Sequence, residues 1–191
     1  MARTKPITLN PDDIKANLRA LYNRATDEQM DEGLAWYDAA FVTVTGIATL
    51  AGVTIDAAAA VVAAISPRQT WSRNVKIALS ICQYPNGVDH AVFAINLEKS
   101  RRILAGEEPL KVLGGNKVRA FYANLLGQYD DVTVDGWIWR GATNGDYNHR
   151  ITDNQYALIS RCIRELAAEA GDITPAQYQA VVWCVLRGNG R

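Results

Sequence analysis

The stretch "LGGNKVRAFYANLLGQYDDVTVDGWIWRGA", residues 113–142, decides how this chain is read. Upstream of it, "EEPLKVL" is a short helical segment. Gly114 and Gly115 then make a tight turn, and "NKVRAFYANLLG" is a second helix with Asn116 as its expected cap, Val118, Phe121 and Leu125 as its buried stripe and Gly127 as its stop. Helix, glycine hairpin and helix therefore follow one another over about residues 107–127. Glycines allow close backbone approach, and the free N–H groups at the start of the second helix favour an anion such as phosphate.

Lys117 is expected at the first position of that second helix, where the positive end of the helix dipole disfavours an ammonium and favours the nucleophilic neutral amine. Eighteen residues later Asp135, in the turn at about 132–140, is a good N-cap for a helix through Trp137, Ile138 and Arg140. A helix over 117–126 rises about 15 Å, and the steps from Gly127 to Asp135 can span roughly 26 Å when extended, so the chain is long enough to bring Asp135 back toward Lys117. An amine and a carboxylate beside a phosphate-binding turn suit attack on the sugar C1′ of an extruded nucleotide, the amine attacking and the anion stabilising the developing oxocarbenium charge.

Outward from this stretch the signals are helical nearly everywhere. Asn10 and Pro11 open a helix with Ile14, Leu18 and Leu21 on one face; Thr26 opens a longer segment through Met30, Leu34 and Tyr37; Thr54 precedes the Ala-rich "IDAAAAVVAAI". Thr70 starts "WSRNVKIALSICQ", Asn96 starts "LEKSRRILA" closed by Gly106, "ITDNQYALISRCIRELAAEAG" ends at Gly171, and Thr174 with Pro175 opens the last helix. "VTV" at 132–134 is too short for a strand. The reading is a single all-α domain over 1–191, a compact helical fold of nine to eleven helices.

Composition narrows the function classes. The chain has 191 residues, half of them apolar, with no net charge, so a general polyanion binder is disfavoured. Charge is unevenly laid out: residues 68–119 hold nine Lys and Arg against four acids, between two acidic flanks, which points to a local anion-binding face. Arg68, Arg73 and Arg119 lie in that basic third, and Trp71 among them is placed either to stack on nucleic acid or to anchor a helix. The N-terminal "MARTKPITLNPDD" has no apolar signal core and the run "AAAAVVAAI" is too short to cross a bilayer, so a cytoplasmic protein without a membrane role is expected. Cys82, Cys162 and Cys184 are widely spaced among apolar residues and read as core thiols. His90 has no partner at a ligand spacing, and no metal is expected. Asp146, Tyr147 and His149 sit in the turn-rich "NGDYNHR" and read as a loop. Gln179 and Trp183 read as packing on the last helix.

"GGNKV" followed by "VTVDGWIWR" at this spacing resembles the helix-hairpin-helix DNA glycosylase superfamily of endonuclease III and 8-oxoguanine glycosylase. The resemblance covers about residues 57–142. It implies a glycosylase-like fold, Asp135 as the catalytic aspartate, Lys117 as the Schiff-base lysine, and Gly114, Gly115 and Asn116 at a phosphate-binding hairpin. "VVAAISPRQTWSRNVKIA" looks like the family's early helix and substrate-side loop, with Ser66 and Gln69 facing the base or its pocket and Trp71 and Trp137 lining it. The hairpin departs from the fuller Leu-Pro-Gly-x-Gly pattern, "DGW" stands where a His commonly follows, and no cysteine quartet follows, so no iron-sulfur cluster and no other cofactor is implied. The whole pattern, with its "SP…W…N" loop and "VTVD" turn, is most similar to small phage proteins. The implied activity is a DNA glycosylase, with or without abasic-site lyase activity, binding DNA as a monomer. Two rivals stand beside it: a phage enzyme of the same fold that transfers a group to a hydroxymethylated pyrimidine in DNA, and a non-catalytic DNA-binding module in which Asp135 is only a cap.

Overall fold

A computed structural model of the chain describes residues 9–87, 92–145 and 151–188. Ten helices occur among them, and no strand: α1 (Pro11–Tyr22), α2 (Asp27–Ala51), α3 (Ile55–Ile65), α4 (Trp71–Gln83), α5 (Ala94–Leu104), α6 (Pro109–Val112), α7 (Asn116–Leu125), α8 (Gly136–Thr143), α9 (Asp153–Ala170) and α10 (Pro175–Arg187). The all-α expectation is met. His90, Asp146, Tyr147 and His149 lie outside the described residues, as does most of the N-terminal stretch read for a signal core.

Side-chain caps start six of these ten helices, five of them by residues expected from sequence. Asn10 accepts from the Asp12 N–H with Pro11 at the first helical position, and Thr54 accepts from Ala57. Thr152 with Gln155 and Thr174 with Gln177 form reciprocal capping boxes, and Thr26 with Gln29 exchanges the same two bonds ahead of α2. Two starts differ from expectation. Helix α5 begins at Ala94, so Asn96 lies buried in its first turn, its N–H donating to the Phe93 carbonyl, instead of capping it. Helix α7 begins at Asn116, because Gly115, with φ +81°, takes the cap position; only glycine enters that backbone region freely.

The chain divides into two compact units, Met1–Leu34 with Val134–Arg191, and Ala35–Thr133. In the first, α1 packs on α8, α9 and α10, and α10 on α8 and α9. Ile14, Leu18, Ile138, Trp139, Ile159, Ile163 and Leu166 are buried there. Close approach is built in at Gly33, where a Cβ would stand 2.5 Å from the Val181 Cα. Tyr22 and Tyr178 stack nearly parallel, with ring centroids 4.4 Å apart.

The second unit is organised on α3, which packs against α4, α5, α6 and α7. Every residue from Ala58 to Ile65 is buried, which explains a helix that is apolar all round; its small side chains let neighbouring helices approach from several sides. Helix α2 presents Tyr37, Ala40, Val44, Ile47 and Ala48 as a buried stripe, and its Asp38 accepts a hydrogen bond from the Tyr129 hydroxyl. Among the described helices α2 alone has the length and composition to cross a bilayer. Cys82, Cys162 and Cys184 are free and buried, as expected for core thiols, and burial pushes the thiols of Cys82 and Cys184 up to about 12.

Candidate functional site

Candidate residues in the second unit gather at the turn between α6 and α7. Pro109 starts the four-residue α6, Leu113 leaves it in an extended conformation, and the exposed Gly114 and Gly115 lead straight into α7. No side chain caps α7, so the N–H groups of its first turn are not closed off by the residue that precedes them. Lys117 is its second helical residue, one step later than sequence placed it, and is half-buried. It remains in the first turn of α7. Among the described residues Lys117 makes no ion pair, and neither do Lys99 and Arg73.

Lys99, on α5, is a residue that sequence reading missed. A Cβ at Gly114 would stand 3.7 Å from its Nζ, so a second ammonium lies over the glycine turn. Its only sequence signal is membership of the basic third; nothing in the spacing of "LEKSRR" marks one cation above the others. Arg119 braces the same turn from α7, donating through Nε to the Leu113 carbonyl at 2.9 Å and through Nη2 to the Leu110 carbonyl at 3.0 Å. Lys111 pairs with Glu108 at 2.8 Å, and Arg102 with Glu107. Of the nine Lys and Arg residues in the basic third, only Arg102 and Lys111 make an ion pair among the described residues.

The segment after α7 is held by Asn124, fully buried in that helix. Its Nδ2 donates to the carbonyls of Gln128 and Asp131, each at 2.9 Å, and its Oδ1 accepts from the Thr133 hydroxyl at 2.9 Å. One amide therefore satisfies three polar groups of the irregular segment leading toward Asp135. Buried asparagine in an otherwise apolar stripe was the signal available for it.

The substrate-side loop of the sequence reading, residues 66–71, joins α3 to α4 in this unit. Ser66 is the C-cap of α3, its hydroxyl donating to the Ala63 carbonyl, and Gln69 is half-buried with its N–H on the Ser66 carbonyl. Arg68 is exposed with φ +63°, and its guanidinium carbon lies 5.8 Å from the Phe93 ring centroid. Arg73 is exposed on α4. Trp71 is half-buried with its ring 5.1 Å from Trp36, which in turn lies 6.4 Å from Phe121, so it joins an aromatic cluster as an anchor of α4. Beneath it Asn74 is buried, its Nδ2 donating to the Val62 carbonyl and its Oδ1 without a partner among the described residues.

Asp135 belongs to the first unit and caps α8. One carboxylate oxygen, Oδ1, accepts from the N–H groups of Trp137 and Ile138, both at 2.9 Å. The other, Oδ2, accepts from the indole N–H of Trp183 on α10 at 3.2 Å. The N-cap expectation is met; the indole contact was not foreseen, since Trp183 read as packing. Of the two tryptophans beside the aspartate, Trp139 is core, while Trp137 is 38% exposed with Arg140 stacked 5.1 Å from its ring centroid. Trp183 carries an equivalent stack, Arg187 at 4.4 Å. Asp135 thus takes one hydrogen bond from the backbone of Trp137 and one from the indole of Trp183, two tryptophans that each carry an arginine on the ring.

Among the described residues no group of three or more His, Cys, Asp or Glu side chains could hold a metal ion. No curated protein and no solved structure matches the chain. A family model matches residues 2–190, and the chain belongs to that family, a family of unknown function (DUF7178).

Proposed function

We propose that this protein is a DNA-binding enzyme that acts on an extruded nucleotide, most simply a DNA glycosylase of the helix-hairpin-helix kind that cleaves the N-glycosidic bond. The observation that carries this reading is the α6–α7 turn. Two exposed glycines lead into an uncapped helix N-terminus, with the Lys99 ammonium over Gly114 and Lys117 in the first helical turn. Helix-start N–H groups, exposed glycine backbone and ammonium groups outside ion pairs are what a phosphate of a nucleic-acid backbone requires. A protein of zero net charge that sets two ammonium groups outside ion pairs, Lys99 and Lys117, at one turn fits a local grip on phosphate better than general polyanion binding.

In this reading Asp135 supplies the negative charge that stabilises the oxocarbenium-like sugar, and Lys117 supplies the amine that attacks C1′ and forms a Schiff base. Trp137, 38% exposed with Arg140 near its ring, is the residue this reading assigns to stack on a base. A specific observation favours a second reading, a DNA-binding module without catalysis: both oxygens of Asp135 already serve the fold, one as a helix cap and one as an indole acceptor.

Borohydride trapping separates the two. Oligonucleotides carrying an abasic site, uracil, hydroxymethyluracil or 8-oxoguanine are incubated with the wild type, Lys117→Ala and Asp135→Asn. A covalent adduct lost in Lys117→Ala establishes Schiff-base chemistry. DNA binding without an adduct, and without any change in product mass, leaves the binding module.

A further inference from the structure

The hydrogen bonds of Asp135 are more than a helix cap needs. A cap requires one acceptor oxygen, and Oδ1 alone takes both available N–H groups, of Trp137 and Ile138. That uses the two lone-pair directions of Oδ1. Oδ2 is held separately, from a different helix, by the N–H of Trp183 at 3.2 Å. An indole has one donor in one direction, so α8 and α10 together fix the carboxylate plane against rotation. Arg187, stacked 4.4 Å from the Trp183 ring centroid, restrains the indole in turn. Among the described residues one acceptor direction of Oδ2 takes no hydrogen bond.

We propose that Trp183 is a positioning residue for Asp135, and that Oδ2 is the oxygen presented to the reacting nucleotide. This inference rests on the reading of Asp135 as the group that stabilises the sugar cation. A carboxylate free to rotate would spend much of its time with neither oxygen aligned, whereas one held at both oxygens needs no reorganisation when the charge develops. Trp183 acts through Asp135 and touches no substrate atom in this scheme.

The test uses the full chain and the same panel of modified oligonucleotides, with kcat and KM measured by product mass for the wild type, Trp183→Phe and Asp135→Asn. Phenylalanine keeps an aromatic ring beneath Arg187 and removes the N–H donor together with part of the indole's volume. The expected result is a kcat lower by about 10- to 100-fold in Trp183→Phe, the scale of a misplaced reacting group, with KM within about twofold of the wild type because phosphate contacts lie elsewhere. A Trp183→Phe enzyme with wild-type kcat beside an inactive Asp135→Asn overturns this inference alone. A wild type that leaves every oligonucleotide unaltered overturns the base-acting reading and the inference with it. A second measurement stands if Trp183→Phe does not fold: the indole N–H signal of Trp183 in the nitrogen–proton correlation spectrum. It is expected to move when Asp135 becomes Asn, a residue that still caps α8; an identical signal in both proteins overturns the contact on which the inference depends.

Discussion

Gly33→Ala and Gly46→Ala make the same chemical change on the same helix, α2, and are expected to act in opposite directions. A Cβ at Gly33 would stand 2.5 Å from the Val181 Cα, 2.7 Å from its N and 2.6 Å from its Cγ2. Carbon atoms in contact prefer about 3.5–4.0 Å, so α10 must retreat by roughly 1 Å, and because two of the three obstructing atoms are backbone, no rotamer change relieves the clash. Overpacking of this kind costs about 1–3 kcal/mol, and rigid backbone places Gly33 at the upper end. Against it stands the gain of about 1 kcal/mol from replacing a helical glycine by alanine. The net loss is about 2 kcal/mol, or a Tm lower by about 4–8 °C for a chain of this size. At Gly46 a Cβ would meet nothing within 4 Å, so only the propensity term of about 1 kcal/mol remains, raising Tm by about 2–4 °C. Thermal unfolding followed by circular dichroism reads both. Equal shifts of the same sign in the two variants would refute the close approach of α2 and α10 at Gly33.

Two further expectations concern pH and DNA. Partial burial, and then the hydrogen bond to the Asp38 carboxylate, push the Tyr129 phenol up to about 12 from its ordinary 10.0, while burial takes Cys82 and Cys184 from 9.0 to about 12. The fold therefore favours their neutral forms: this stabilisation is complete below pH 9 and is lost as pH rises through 12. The urea midpoint is expected to be lower at pH 11 than at pH 8, and an equal midpoint at both refutes the assignment. Lys99→Glu is expected to weaken binding to duplex DNA more than Arg161→Glu, since Arg161 already pairs with Glu165, and to lower the slope of log K against log salt by about 1. Equal losses in the two variants would remove Lys99 from the phosphate grip.

Much of the local architecture was legible in sequence because capping chemistry is local. Asn10, Thr26, Thr54 and Thr174 each announce a helix with atoms no more than three residues away. The same locality misplaced the start of α7: Asn116 is the better cap by residue type, but Gly115 can take the positive φ the turn demands, and backbone conformation decided. Val118, expected in the buried stripe of α7, is half-buried, whereas Ala120 to Leu125 are buried without interruption. A one-sided stripe cannot foretell a helix end enclosed on several sides. Lys99 over Gly114, Asn124 under its loop and Trp183 on Asp135 depend on side chains meeting across the fold. No spacing along the chain encodes the meeting of residues 135 and 183.

The division of the chain gives the first unit an unusual history. Of the ten described helices its α1 is made first, and the helices on which α1 packs, α8, α9 and α10, follow all the others. At ribosomal speeds of about 5–20 residues per second, the apolar face of Ile14 and Leu18 waits on the order of ten seconds for its partners. All of Ala35–Thr133 emerges during that interval, as one continuous segment. An isolated helix of twelve residues is marginal in water, so α1 spends its first seconds as a nascent, reversible turn of chain. Any ligand or variant that delays the arrival of α8 lengthens the time for which that apolar face is open to aggregation.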